Sequence, residues 1–420
     1  MRAGWLLCLT LWAANALAAD DFAALAGQLN AAHKAGDYAA MEAAADKLLA
    51  LRPGYPRLEY LLAVARAHRG DEAGALAALG QVADMGVYVD IAKSPDFAPL
   101  RNRPGFQALT ARFASVSAPL ARAKPAFHLT EPDFIPEGLA YDPGSGDFFV
   151  ASVHLRKIVR VQAGKVSDFA TRDAGLWSVL GLCADPARGR LWAVSSALPQ
   201  MQGYDAKLEG KSALFRFDLK SGALQATYPV PQDGAGHELN DLTVAPDGSV
   251  YAADGNGGVY LLAPDSKTLR LLTPAGALES SQGLALSADS RRLYIADYER
   301  GLYAYEFSSG RLLRLSAPAA VNTYYVDGLV RHGRDLVAIE NAAEPQRVIR
   351  FHLDASGLAV TGAEVLDSAD PLAPEPTLET VVGDTLYFVA NSQWSRFDEA
   401  GQLPPMDQLQ PPSIVELPLD

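Results

Sequence analysis

Cysteine is almost missing from this 420-residue chain, which has two, Cys8 and Cys183. Two cysteines cannot build the framework of a disulfide-stapled miniprotein. Positive charge is also short: 36 basic residues face 49 acidic ones, the net charge is −13, and no basic cluster stands out. That balance excludes the electrostatic footprint of a nucleic-acid or anionic-membrane binder. Long apolar runs are missing too. Beyond the N-terminal stretch no segment approaches the ~18 unbroken apolar residues of a spanning helix, so no membrane span is expected. What remains is 49% hydrophobic and 20% charged, with 35 Gly and 27 Pro. This composition suits a folded, turn-rich protein of two to three domains.

The first residues read as an address. Arg2 precedes an apolar run from Trp5 to Leu17, and Ala16-Leu17-Ala18 supplies a small-x-small cleavage pattern. A signal peptide over 1–18, cut near Ala18, is expected, with a periplasmic or secreted mature protein. Cleavage leaves Cys183 alone, without an intramolecular disulfide.

Two kinds of internal repeat follow. Ala35-Gly36-Asp37-Tyr38 recurs as Arg69-Gly70-Asp71-Glu72, 34 residues on. Each copy leads into an Ala-rich amphipathic stretch, Ala39 to Leu51 and Ala73 to Met85, with a further helix expected from Pro56 to His68. This pattern resembles a pair of tetratricopeptide repeats and implies a small all-α domain over 20–118. The region has no catalytic constellation and is read as a packing element or a binder of a protein partner. A linker near Ala118 to Pro125 would make it separable.

From Phe127 onward the chain turns to short strands, and one module recurs six times. It is a leading residue, usually Gly-Leu, a short strand, a turn and a second strand. The copies begin at Glu137, Leu180, Asn240, Gln282, Asp327 and Glu379. The turn aspartates Asp142, Asp185 and Asp247 are structural. A third strand is visible in the copies, the last at Trp394 to Asp398. Spacings of 42 to 60 residues match one four-stranded blade, so residues 127–420 are expected to form an all-β six-bladed β-propeller. Closure is expected by pairing Phe127–Thr130 with Ile414–Leu417.

In a propeller the six leading residues converge on the central channel. Five carry side-chain oxygens and three are carboxylates, a donor set that suits a hard divalent cation, Ca²⁺ first. The loops after the second strands return to the same end and make a rim. They carry His154, Tyr204, Asp254, Asn256, Tyr298, Glu340, Asn341 and Asn391. The long loop from Ala197 to Ser212 is a candidate lid. His237 and His154 are placed to act as acid or base.

The Glu137-Gly138, Asn240-Asp241, Gln282-Gly283 and Asp327-Gly328 steps resemble the senescence-marker/gluconolactonase/regucalcin superfamily of six-bladed propellers, with paraoxonase-like and strictosidine-synthase-like relatives. That resemblance implies a divalent-metal-dependent hydrolase of a lactone or ester, with a small-molecule substrate in the channel. It carries the metal to Glu137, Asn240, Gln282 and Asp327. Asp327, His237 and Glu379 are the candidate catalytic groups. Three departures stand out: Gln282 where the family has Asn, Leu180 where paraoxonase-like members have His, and His237-Glu238-Leu239 where sugar lactonases carry Arg. A non-catalytic binding propeller and a metal-free strictosidine-synthase-like enzyme are therefore the alternatives.

Overall fold

The Gly-Asp step repeated at 34 residues is a helix stop followed by a helix start. Gly36 and Gly70 have φ of +69° and +79°, a conformation that costs glycine little. Asp37 then accepts a hydrogen bond from the Ala40 amide at 3.0 Å, and Asp71 from the Gly74 amide at 2.9 Å. Both are N-caps, each worth about 1 kcal/mol.

The structure, a computed structural model, describes residues 22–420. The leader expected over residues 1–18 lies outside them. The caps separate α1 (residues 22–35), α2 (Tyr38–Leu51), α3 (Pro56–His68) and α4 (Glu72–Asp84); α5 (Pro104–Val116) follows. Met41, Ala45, Leu48, Leu62, Ala63, Ala75 and Leu79 are buried among them. The same compact unit takes in Ser316–Tyr324 and Ala343–Pro345 from far along the chain. Tyr324 stacks at a tilt on Tyr55, centroids 4.8 Å apart, and its hydroxyl donates to the Pro53 carbonyl at 2.9 Å. No helix of the described residues is long and apolar enough to cross a membrane.

The second unit is the propeller: six four-stranded antiparallel sheets. The innermost strands are Pro136–Asp142, Ser178–Asp185, Leu239–Val244, Ser281–Leu286, Val326–His332 and Glu379–Val382. Apolar side chains such as Trp192, Val194, Leu214, Leu242 and Val250 fill the space between the sheets. Blade 6 is closed by the first and last strands of the propeller. Lys124–His128 pairs antiparallel with Ser413–Pro418, Lys124 opposite Glu416 and His128 opposite Ser413. The third strand of that blade is thus Ser413–Pro418. Trp394 to Asp398, expected as that strand, instead begins with a short 3₁₀ turn at Trp394–Arg396, because the chain makes a long excursion before rejoining the sheet.

In blades 1 to 5 the ladder between first and second strands slips at the leading residue: between Pro136 and Leu139, Val179 and Leu182, Leu239 and Asp241, Ser281 and Leu284, and Val326 and Leu329. Each slip is a bulge that re-aims one side chain. The glycine after the leading residue is there for clearance. A Cβ on Gly181 would lie 2.7 Å from the Asp241 Cα, and one on Gly283 would lie 2.6 Å from the Leu329 Cβ. The inner strands of neighbouring blades therefore touch backbone to backbone.

Candidate functional site

Five leading residues converge as the repeat requires. Glu137, Gln282 and Asp327 line a cavity of about 320 Å³ with Tyr298, Asn341, Gln346, Glu375, Thr377, Ser392 and Trp394. A smaller contiguous hollow of about 100 Å³ joins Glu137, Gln282 and Asp327 to Asn240 and Leu180. No Lys or Arg lines either one. Both carboxylate-bearing strands are entered through strained backbone: Ile135 and Tyr325, each two residues before a carboxylate, have φ of +48° and +65°. Left-handed φ at a β-branched residue is rare, and strain of this kind gathers at functional sites.

The polar groups form three short chains. The Trp394 indole Nε1 donates to Glu137 Oε2 at 2.6 Å. Across the cavity, the Tyr298 hydroxyl donates to Asn341 Oδ1 at 2.8 Å, and Asn341 Nδ2 donates to Asp327 Oδ2 at 2.6 Å. Asn240 Nδ2 donates to Gln282 Oε1 at 2.9 Å. Burial, reinforced by the charge of Asp327, holds the Glu137 carboxyl well above the usual range; the Trp394 bond pulls the other way. Burial likewise raises Asp327 to about 7, against the Asn341 bond that favours its charge. Two buried carboxylates without a basic partner resist ionisation.

The sixth leading position is a correction. Glu379 pairs with Phe388, and in that register it is equivalent to Leu139 and Leu329, two residues past the leading site. Thr377 occupies the leading site and lines the cavity, whereas Glu379 faces the opposite end of the channel. The missed signal was spacing: Asp327 precedes Leu336 by nine residues, as Thr377 precedes Leu386, while Glu379 precedes it by seven.

His237, expected as an acid–base group, is held away from the cavity. Its Nδ1 lies 2.7 Å from Asp254 Oδ2 and its Nε2 lies 3.1 Å from Asp233 Oδ1, so both nitrogens are engaged. Asp254 also accepts from the Glu238 and Asn256 amides, which makes it a loop clasp. Of the eight expected rim residues, Tyr298 and Asn341 line the cavity. Glu340 is buried in an ion pair with Arg347 at 2.6 Å. Asn391 accepts from the Ser413 amide and hydroxyl, and His154 Nδ1 lies 2.7 Å from the Gln200 carbonyl. Tyr204 and Asn256 are not in the lining, nor is any residue of the long loop Ala197–Ser212. Trp394, Ser392, Glu375 and Gln346 were not foreseen.

The donor set suits a hard divalent ion in part. Two buried carboxylates and two amide side chains face one space without a compensating cation, which favours a bound one. Among the described residues, no three His, Cys, Asp or Glu side chains are grouped to hold a metal, so amide oxygens and water would complete its shell.

Residues 135–354 match the family model described as SMP-30/Gluconolactonase/LRE-like region. No curated protein matches the chain. Among solved structures, a gluconolactonase from Xanthomonas campestris is 18% identical, covering 72% of this chain and 100% of its own, with a TM-score of 0.47. A luciferin-regenerating enzyme is 16% identical over 72% of this chain and 95% of its own, TM-score 0.46. A streptogramin B lyase is 16% identical over 71% and 87%, TM-score 0.44.

Proposed function

Because the chain belongs to the SMP-30/gluconolactonase/LRE-like family, we propose that it is an exported, divalent-metal-dependent hydrolase of a small lactone or related ester. The observation that carries this reading is the facing pair Glu137 and Asp327, buried in one cavity that contains no basic residue. Glu137 and Asp327 would hold the ion, with Asn240 and Gln282 offering amide oxygens. When bound, a divalent cation supplies Lewis-acid polarisation of a carbonyl.

The side chains around it do the rest. Trp394 fixes the rotamer of Glu137, and the Tyr298–Asn341 pair fixes Asp327, so neither carboxylate must reorganise as charge develops. Asp327 is the group assigned to take a proton from attacking water, since its carboxyl faces the cavity. A space of about 320 Å³ admits a single-ring lactone. The helical unit would serve a protein partner, with no part in the chemistry.

The test is a panel of γ- and δ-lactones offered to purified protein with Ca²⁺, Mg²⁺ or EDTA. Turnover that depends on the ion and is lost in Glu137→Gln and Asp327→Asn is expected. Turnover unaffected by EDTA, or unchanged in both variants, would overturn the reading in favour of a binding propeller or a metal-free enzyme.

A further inference from the structure

The channel has a second end, with a different lining. A cavity of about 170 Å³ opens there, walled by Leu139, Leu182, Leu242, Leu284 and Leu329, the same register position in blades 1 to 5. Blade 6 puts Glu379 into that leucine ring. Blade 3 adds Asp241, where blades 1, 2, 4 and 5 have Gly138, Gly181, Gly283 and Gly328. This lining shares no residue with the 320 Å³ mouth cavity, and Leu378 is the one residue it has in common with the small hollow beneath it.

The two carboxylates differ in how they are satisfied. Asp241 Oδ2 accepts from the Leu284 amide at 3.2 Å. Glu379 is 8% exposed, and its buried Oε2 has no hydrogen-bond partner, lying against Gly328 where a methyl group would collide. A buried carboxyl left without a donor is costly, and native proteins rarely keep one without a use.

We infer that this end of the channel binds a small organic ammonium ion, its N–H donors on Glu379 and Asp241 and its alkyl stem against the leucine ring. A bare metal ion fits less well. Five of six ring positions are leucine, which offers a hydrated cation nothing. An alkyl ammonium uses both surfaces. At the roughly 30 Å³ one water occupies in the liquid, the cavity takes about five or six heavy atoms, the size of butyl- or pentylammonium.

Calorimetric titration and thermal melts of the full chain with n-butylammonium chloride test this, with n-butanol as the uncharged isostere. Wild type should bind butylammonium saturably and melt higher in its presence, and butanol should do neither. Glu379→Gln should weaken binding at least tenfold, Leu182→Phe should weaken it by narrowing the wall, and Glu137→Gln at the mouth should leave it intact. The inference is overturned if wild type gives no response or responds equally to butanol. It is equally overturned if binding survives both Glu379→Gln and Leu182→Phe, or disappears in Glu137→Gln.

Discussion

Replacing Asp327 by Asn removes one charge from a cavity that has no cation of its own while keeping the side chain's shape. Asp327 is buried, and its carboxyl moves from 3.8 to about 7 on folding. A raised carboxyl is one the folded state prefers neutral. The stability associated with the neutral form is complete below pH 3.8 and is lost as pH climbs to about 7. At about 1.4 kcal/mol per pKa unit, full ionisation costs at most ~4 kcal/mol. Part of that is shared with Glu137, whose carboxyl is raised by burial and by Asp327's charge, so about 2–4 kcal/mol is the expected range. For a unit of this size ~1 kcal/mol shifts Tm by roughly 2–4 °C. In EDTA, scanning calorimetry from pH 5 to pH 8 spans about two of those pKa units, ~1–3 kcal/mol, and should therefore show wild type losing about 2–12 °C relative to Asp327→Asn. Adding Ca²⁺ at pH 8 should restore wild type and leave the variant unmoved. Parallel Tm curves for the two proteins across this range would refute the claim that the cavity stores an uncompensated charge.

Trp394→Phe deletes the indole donor on Glu137 and should lower lactone kcat/KM about tenfold or more, with Tm within a few degrees of wild type. Tyr298→Phe, one bond further from Asp327, should cost less, and steady-state kinetics on the same lactone would rank the two. His237→Asn should reduce the urea-unfolding free energy by about 1–3 kcal/mol through loss of the Asp254 clasp, yet leave turnover per folded molecule unchanged. Gly283→Ala forces a Cβ into Leu329 of the next blade and should lower the urea midpoint by the equivalent of about 1–3 kcal/mol.

The sequence made the architecture readable because the blades that repeat best obey local chemistry. The Gly-Leu step, the Asx turn and the alternating second strand are all short-range signals, and Asp142 and Asp247 accept the turn amides as such residues should. Blade 6 lacks the Gly step, so its register was free to slide, and Glu379 was set two residues too early in the alignment. Its third strand was misplaced because the aromatic run at Trp394 imitates a strand, while the real one, Ser413–Pro418, follows a long excursion and is pinned between Thr385–Val389 and Lys124–His128. Glu137, Asn240, Gln282 and Asp327 could be named because their strand position decides where they point. The long-range choices could not: whether His237 turns to the cavity or to Asp254, and whether a loop tryptophan folds back onto Glu137, depend on packing that no periodicity encodes.

The closure of blade 6 has a consequence for how the molecule is made. Lys124–His128 is the outermost strand of its sheet, and its one strand partner among the described residues, Ser413–Pro418, comes far later in the sequence. At translation rates of roughly 5–20 residues per second, the nearly 290 residues between them take about 15–60 s to emerge. Throughout that interval the earlier strand is a β-segment without a neighbour, the kind of edge that recruits other chains. Lys124 and Pro125 sit at its start, a charge and a residue without an amide proton, both of which discourage such pairing. The ring is thus assembled against the clock, and the residues that open this strand shield it until its partner arrives.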